Sequence, residues 1–232
     1  MKTVTPTSHA GRRKQILIVD DHPLMREGIA RWIQRRPELD VCGEADSASA
    51  ALALIGKLNP DLLLTDIALP GKNGIELIKD VRALRPALPV LVLSMHDESL
   101  YAGRALRAGA RGYLMKQAGG DRVVQGILEV LQGRIVVSAE MATHLLEEYS
   151  GRRPHSRHSP LPHLTDREFE VFQLLGEARS NREIADQLHI STKTVESHRL
   201  NLMRKFKLKA VSQLMRFAIQ YVEKEAFGNW QG

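Results

Sequence analysis

The sequence predicts an α/β domain, a doubly wound five-stranded parallel sheet, followed by an all-α domain of four helices. Three observations predict it. Between residues 16 and 131, five short apolar runs alternate with helix-length amphipathic stretches, and strands spaced by helices of that length make βαβ units. The run Val90-Leu-Val-Leu93 is apolar at every position, as a strand covered on both faces must be. Beyond residue 163 the strand-like runs cease and helical periodicity alone remains.

Taken in order, residues 1–14 are polar and basic, with Pro6, Ser8 and Gly11, and read as a flexible leader. Strands are predicted at 16–20, 41–45, 62–66, 90–94 and 112–115, and helices at 25–35, 48–57, 74–84, 100–108 and 121–131. Residues 15–133 thus form one domain. A connecting helix opens near Ser138, a predicted N-cap, and runs to about residue 148. Residues 150–162 contain Gly, Arg, Pro, His and Ser with almost no apolar side chain, which is linker composition. His155, His158 and His163, with His144, lack the regular spacing and fixed frame of a metal site, so a solvated linker is expected.

The terminal domain, 163–223, opens with Thr165 and Glu168 in capping-box spacing. Its first helix, 166–176, sets Phe169, Phe172 and Leu175 on one face. A short helix follows at 182–188, with Asn181 as its expected cap. A turn at Ile190-Ser-Thr192 leads to a long helix over 192–206, and a fourth helix spans 211–221. Residues 224–232 read as a frayed tail containing Trp230.

Composition narrows the function classes. Hydrophobic content of 43% and charged content of 26% are ordinary for a soluble globular chain. The one cysteine, Cys42, excludes an intramolecular disulfide and a multi-cysteine metal site. No apolar run reaches the roughly 20 residues a membrane span needs, so a cytoplasmic protein without membrane contact is expected. The net charge of +6 is uneven: residues 1–150 hold 19 basic and 18 acidic residues, residues 151–232 hold 14 and 9. A basic terminal third suits a polyanionic partner.

The chemistry-bearing residues lie at predicted strand ends. Asp20 and Asp21 close the first strand and Asp66 the third. Ser94 ends the fourth, and Lys116 follows the fifth. In a parallel sheet these ends meet on one edge, where ligands bind. Three gathered carboxylates repel unless a cation joins them, and hard oxygen donors suit Mg²⁺. A lysine can neutralise a phosphoryl oxygen there, and a serine hydroxyl can bond another. The expectation is a magnesium-dependent aspartyl-phosphate site. In a plainer reading, Asp20 and Asp21 merely cap the following helix.

The motifs Ile18-Val-Asp20-Asp21-His22, Asp66-Ile-Ala-Leu-Pro70, Gly74, Ser94 and Tyr113-Leu-Met-Lys116 together resemble the flavodoxin-like receiver domain of two-component response regulators. The resemblance implies Asp66 as phosphoacceptor, Asp21 as direct Mg²⁺ ligand, Asp20 acting through a metal-bound water, and the backbone carbonyl of Ala68 as a further ligand. It also implies that Ser94 and Tyr113 are switch residues and that Tyr113 turns inward on phosphorylation. A sensor histidine kinase would donate the phosphoryl group. Beyond this self-transfer and autodephosphorylation, no enzyme activity is expected.

In the terminal domain, short helix, turn and longer helix follow the helix-turn-helix layout. Lys193, Ser197, Leu200 and Arg204 recur on one face of the long helix, and Val195, Leu202 and Phe206 on the opposite one. Six basic residues and one acid, Glu196, lie between residues 192 and 209. A recognition helix reads base edges with a few side chains while Lys and Arg hold phosphates. The segments Leu164-Thr-Asp-Arg-Glu168, Asn181-Arg-Glu-Ile-Ala185, Thr194-Val-Glu-Ser-His-Arg199 and Asn201-Leu-Met-Arg-Lys205 resemble the LuxR-type DNA-binding domain. The resemblance implies Glu196, Ser197, Leu200 and Asn201 near the bases, and Lys193, Thr194, Arg199, Arg204 and Lys205 on phosphates. His198 is expected to be structural. Ala178 departs from the family's frequent glycine, so a different turn is expected there.

Both matches together resemble the NarL/FixJ subfamily and imply a phosphorylation-switched transcription factor that binds double-stranded DNA as a homodimer. Its receiver would cover the recognition helix until phosphorylated. Three rival readings stand beside it. One is a phosphorylation-independent DNA-binding regulator whose receiver dimerises or senses a ligand. Another is an aspartate-nucleophile phosphohydrolase, which would need an acid where Ala68 stands. The third is an adaptor without DNA binding.

Overall fold

The computed structural model describes residues 12–150 and 164–228. The leader up to residue 11, the linker with His155, His158 and His163, and Trp230 lie outside the described residues.

The N-terminal domain alternates strand and helix: β1 (Lys14–Val19), α1 (Pro23–Gln34), β2 (Leu39–Ala45), α2 (Ala48–Leu58), β3 (Leu62–Thr65), α3 (Gly74–Leu84), β4 (Val90–Ser94), α4 (Glu98–Ala108), β5 (Gly112–Met115) and α5 (Gly120–Leu131). A single 3₁₀ turn, Lys116–Ala118, lies between β5 and α5. The strands are all parallel, in the order β2-β1-β3-β4-β5. Successive strand residues point to opposite faces. Ile16, Ile18, Leu62, Leu64, Leu91 and Leu93 accordingly pack with Ile29 and Ile33 of α1 and Val123 and Ile127 of α5. Leu17, Val19, Leu63 and Val92 pack with Ala51, Ile78 and Ala105 from α2, α3 and α4. Both faces are apolar, which is why these strands read as unbroken hydrophobic runs.

Two glycines are required by close approach. A Cβ on Gly74 would lie 2.0 Å from the carbonyl oxygen of Asp66, so only glycine lets α3 start hard against the end of β3. A Cβ on Gly120 would lie 2.4 Å from the ring of Trp32, so the indole of α1 seats on bare backbone at the start of α5.

α6 (Ala139–Tyr149) begins as expected: the Met141 N–H donates to Ser138 Oγ at 3.0 Å. The terminal domain comprises α7 (Asp166–Gly176), α8 (Asn181–Gln187), α9 (Thr192–Lys205) and α10 (Val211–Gly228). Thr165 and Glu168 form the capping box of α7. The cap of α8 is Ser180, not Asn181: Ser180 and Glu183 complete a second capping box one residue earlier than expected.

α7, α8 and α9 are each followed by a left-handed residue that is not glycine. Ala178, His189 and Lys207 take positive φ, at 59°, 52° and 56°. In each case the next N–H bonds a carbonyl five residues back, as in Arg179 to Leu174, Ile190 to Ala185 and Leu208 to Met203. This is the helix-ending turn that normally recruits glycine. The expectation of a different turn at Ala178 is therefore corrected: the same turn forms, with alanine accepting the left-handed backbone.

Candidate functional site: an acidic pocket and a docked helix-turn-helix

The predicted strand ends do converge. Asp66 follows β3, is 3% exposed, and its Oδ1 accepts from the Ile67 N–H at 2.6 Å. Lys116 follows β5, and its Nζ lies 2.7 Å from Asp66 Oδ2 and 2.6 Å from Asp20 Oδ2. Asp20 is itself buried, and its Oδ1 accepts from the His22 N–H at 2.9 Å. Burial alone would lower the Lys116 pKa, but Asp66 and Asp20 more than offset this, so the ammonium is held above its ordinary range. One buried cation thus joins the two buried acids.

Asp21 sits beside this pair with a different task open to it. Its Oδ1 is buried and has no hydrogen-bond partner, although His22 Nδ1 lies 2.7 Å away. Asp20, Asp21 and His22 bring ligand atoms within 4.8 Å of one another. An unbonded buried carboxylate oxygen next to further acids fits a hard divalent cation. The structure adds His22 to the expected group, and it joins Asp66 to Asp20 through Lys116. His22 stands directly after the two acids in sequence, which is the one signal that pointed to it. Ala68 lies half-buried in the β3–α3 loop.

Ser94 and Tyr113 are both fully buried. The His96 N–H donates to Ser94 Oγ at 3.3 Å, and the Tyr113 hydroxyl donates to the His96 carbonyl at 2.8 Å. Burial raises the Tyr113 pKa far above its ordinary value, so the phenol stays protonated and remains a donor. Tyr113 points inward in this structure.

His96 carries the contact onward. Its ring stacks on Tyr101 of α4 at 4.6 Å between centroids, and Tyr101 meets Phe169 of α7 edge-on at 5.2 Å. Arg104 lies over the same Phe169 ring at 4.0 Å and bonds Asp166 at 3.2 Å. Lys79 of α3 reaches Asp166 at 2.6 Å. The Asn73 side chain donates to Glu170 at 3.1 Å, and Arg167 donates to the carbonyl of Gly71 at 3.1 Å. Gly71 and Asn73 belong to the loop that leaves Asp66. At the next turn, His189 approaches Asp21 at 3.6 Å.

These contacts explain a departure in α7. Every residue from Glu168 to Leu175 is buried, charged ones included. One side meets α9 and α10, where Phe172 packs against Phe206 and Phe217. The other side meets α3, α4 and the β3–α3 loop. Glu170 is the clearest result: burial pushes its carboxyl up to about 7, with Arg167 and Asn73 opposing.

The recognition helix α9 is arranged as its spacing predicts. Val195 and Leu202 are fully buried, with Phe206 packed beside them. Lys193, Glu196, Ser197, Leu200 and Arg204 are exposed, Leu200 at 55%. The expectation that the receiver-like domain covers this helix is corrected: it grips α7 and leaves the outward face of α9 open. Other expected phosphate contacts are tied within the domain. Lys205 bonds the buried Glu168 at 2.5 Å, Arg199 bonds Asn181, and Thr194 Oγ1 lies 2.8 Å from Ser191 Oγ. Asn201 is half-buried and accepts from Arg204 at 3.1 Å. His198 is half-buried, and burial lowers its pKa.

An acid-and-lysine pocket at the carboxyl edge of a β2-β1-β3-β4-β5 sheet, followed by a basic helix-turn-helix, defines a signal-receiving domain coupled to a DNA-binding one. Comparisons with known proteins agree. The response regulator receiver domain matches residues 16–128, and the LuxR family of bacterial regulatory proteins matches residues 162–218. The transcriptional regulatory protein DegU of Brevibacillus brevis is 37% identical, over 82% of this chain and 86% of that protein. The response regulator GacA of Pseudomonas aeruginosa is 31% identical, over 89% and 96%. The response regulator RcsB of Salmonella typhimurium superposes with a TM-score of 0.63 at 26% identity, covering 91% of this chain and 98% of that one. The chain belongs to the LuxR-type response regulators: it is a two-component, DNA-binding transcriptional regulator. No helix among the described residues is long and apolar enough to cross a membrane.

Proposed function

We propose that Asp66 is the phosphoacceptor and that its phosphorylation by a sensor histidine kinase frees the terminal domain to bind DNA as a homodimer. The observation that carries this reading is Lys116, whose ammonium lies 2.7 Å from Asp66 and 2.6 Å from Asp20. A cation held there faces any group that Asp66 acquires.

A carboxylate oxygen of Asp66 attacks phosphorus, the phosphorus–nitrogen bond of the kinase phosphohistidine breaks, and its electron pair returns to the imidazole. The catalysis is positioning and electrostatics. Lys116 transfers its contact from the carboxylate to a phosphoryl oxygen, and the Ser94 hydroxyl donates to another. Asp20, Asp21 and Asp66, with the Ala68 carbonyl, would hold Mg²⁺, which neutralises phosphoryl charge when bound.

The switch follows from where the new charge arrives. The acyl phosphate carries a charge of about −1.5 to −2, where the carboxylate carried −1, at the start of the loop that carries Gly71 and Asn73. Those are the partners of Arg167 and Glu170. Moving Ser94 also disturbs His96, the next link toward Tyr101 and Phe169. In this reading docking restrains the orientation of α9 rather than its exposure, and release lets two copies meet paired half-sites. RcsB has been solved bound to promoter DNA in the presence of phosphomimetic BeF₃⁻, which supports the comparison.

The test is acyl-phosphate formation from a small phosphodonor with Mg²⁺, followed by DNA binding. Wild type is expected to form the acid-labile adduct and bind DNA more tightly. Asp66→Asn is expected to do neither. A full adduct signal in Asp66→Asn, or equal DNA binding with and without the phosphoryl group, refutes the reading.

A further inference from the structure

We propose that the base of the receiver, the sheet edge opposite Asp66, is a second DNA-contact surface that takes the phosphate backbone without reading sequence. The inference rests on DNA binding by α9 and extends it to a part of the chain with no helix-turn-helix.

Because helices run antiparallel to the strands they connect, every helix of the receiver ends at this edge. The loops there are unusually basic. Arg12 and Arg13 lead into Lys14 and β1. Arg35 and Arg36 follow α1, and Lys57 ends α2. Arg82 and Arg85 mark the end of α3. Arg107 closes α4, Arg111 precedes β5, and Arg134 follows α5. All of these are exposed except Arg85, which is half-buried. The acids on the same loops are Glu38, Asp40 and Asp61. The net charge of the first 150 residues is near zero, so the domain is polarised, with acids at the phosphorylation edge and bases at the other.

The bases form one continuous row. The Lys14 N–H bonds the Glu38 carbonyl, and the Asp61 N–H bonds the Gln15 carbonyl. Arg85 bonds Asn59, Arg82 bonds the Arg107 carbonyl, and the Arg111 carbonyl accepts from Val136. These contacts link each loop to the next across the sheet. Five strands at about 4.8 Å spacing make the row roughly 20 Å long. Duplex DNA presents one phosphate charge per about 1.7 Å of axis, so a row this long faces on the order of ten phosphates.

Helix macrodipoles favour cations in a last turn, which accounts for Lys57, Arg82 and Arg107. They do not account for Arg12, Arg13, Arg36, Arg111 and Arg134, which lie outside the helices; of these, only Arg12 has an acid beside it among the described residues, Asp61. The row also contains a concavity of about 270 Å³ lined by Arg12, Asn59, Pro60, Asp61, Arg85 and Leu88. Its one acid is already answered, since Asp61 accepts from Lys14 at 3.3 Å and from the Gln15 N–H at 2.8 Å. Two guanidiniums flank the notch, Arg12 beside Asp61 and Arg85 bonded to Asn59. DNA is the favoured occupant because the length and charge of the row match a duplex backbone, and α9, although docked at the opposite edge, tethers a duplex to the same chain.

The test uses the full chain carrying Arg12→Ala, Arg36→Ala, Arg111→Ala and Arg134→Ala together, with its melting transition as a check on folding. Binding is followed by fluorescence anisotropy across a salt series, on a long mixed-sequence duplex and on one that spans only the helix-turn-helix footprint. On the long duplex, the slope of log K against log salt is expected to fall by about 3.6, roughly 0.9 for each of the four lost contacts. On the short duplex the affinity is expected to stay unchanged. Lys193→Ala with Arg204→Ala is the control, and weakens binding on both lengths. Equal slopes for the wild type and the fourfold variant on the long duplex overturn the proposal and leave the row to solvent or an acidic protein. An equal loss on both lengths overturns it too, because net charge alone then explains the change.

Discussion

The Nδ2 of Asn73 donates to Oε1 of Glu170 at 3.1 Å, joining residues 97 positions apart, and both side chains are buried. Asn73 also caps α3, accepting from the Glu76 N–H at 2.9 Å. The residue that starts the helix after the Asp66 loop is therefore one that holds the DNA-binding domain.

This contact makes docking pH-dependent. The Glu170 carboxyl is raised from 4.5 to about 7 in the docked state, chiefly by burial; Arg167 and Asn73 oppose the rise and Glu76 adds to it. A carboxyl raised on docking binds its proton more tightly when docked. Its contribution is complete below the ordinary value, fades as pH climbs toward 7, and is gone above it, at about 1.4 kcal/mol per pH unit within that window. Energy transfer between dyes on α2 and α10 is expected to fall between pH 5 and 8. Glu170→Gln is expected to flatten the profile, and an unaltered profile in that variant disproves the role of Glu170.

Lys116→Met removes the one cation between Asp20 and Asp66. Breaking a buried ion pair costs roughly 3–5 kcal/mol, so a lower melting temperature is expected. Mg²⁺ is expected to raise the melting temperature more in the variant than in the wild type, because it supplies charge that the variant lacks. Identical Mg²⁺ shifts in both proteins would count against a divalent site beside these acids.

Ala178 is exposed and left-handed. A left-handed residue with a Cβ is strained by roughly 1–2 kcal/mol relative to glycine. Ala178→Gly is expected to stabilise the terminal domain by about 1 kcal/mol, raising its melting point by roughly 4 °C or more for a domain of this size. Calorimetry of the full chain reads this directly, and a lower melting point would mean that the turn is not strained.

Lys193 and Lys205 lie on the same helix and should separate cleanly. Lys193 is exposed, and Lys193→Ala is expected to lower the salt slope of DNA binding by about 0.9 with stability unchanged. Lys205 bonds the buried capping residue Glu168, whose carboxyl is held below its ordinary range by Lys205 and Thr165 despite burial. Lys205→Ala is expected to destabilise the domain first, seen as earlier unfolding in urea. Matching stability in the two variants would refute the distinction.

Much of the receiver was legible in its sequence because it is covered on both faces. The strands β4 and β5 and the helices α3 and α7 begin and end where the patterns place them. Errors fall where backbone bonding outruns side-chain pattern. β1 starts at Lys14 because pairing to Leu39 begins before the apolar run, and α8 is capped one residue early by Ser180. The convergence of Asp20, Asp66 and Lys116 was readable from strand ends alone. The docked surface was not. Glu170 and Gln173 look like the solvent face of an amphipathic helix, and their burial depends on a second domain that no local periodicity records. His189 contacts Asp21 across more than half the chain, with nothing near either residue to announce it.

Trp32 seats on Gly120, just beyond the turn that carries Lys116. A movement of that lysine toward a new anion that carries its 3₁₀ turn along is expected to alter the surroundings of the indole. With Trp230 replaced by phenylalanine, emission from a single tryptophan would follow occupancy of the acidic pocket in real time. The protein thus contains its own optical gauge, one that needs neither a label nor DNA.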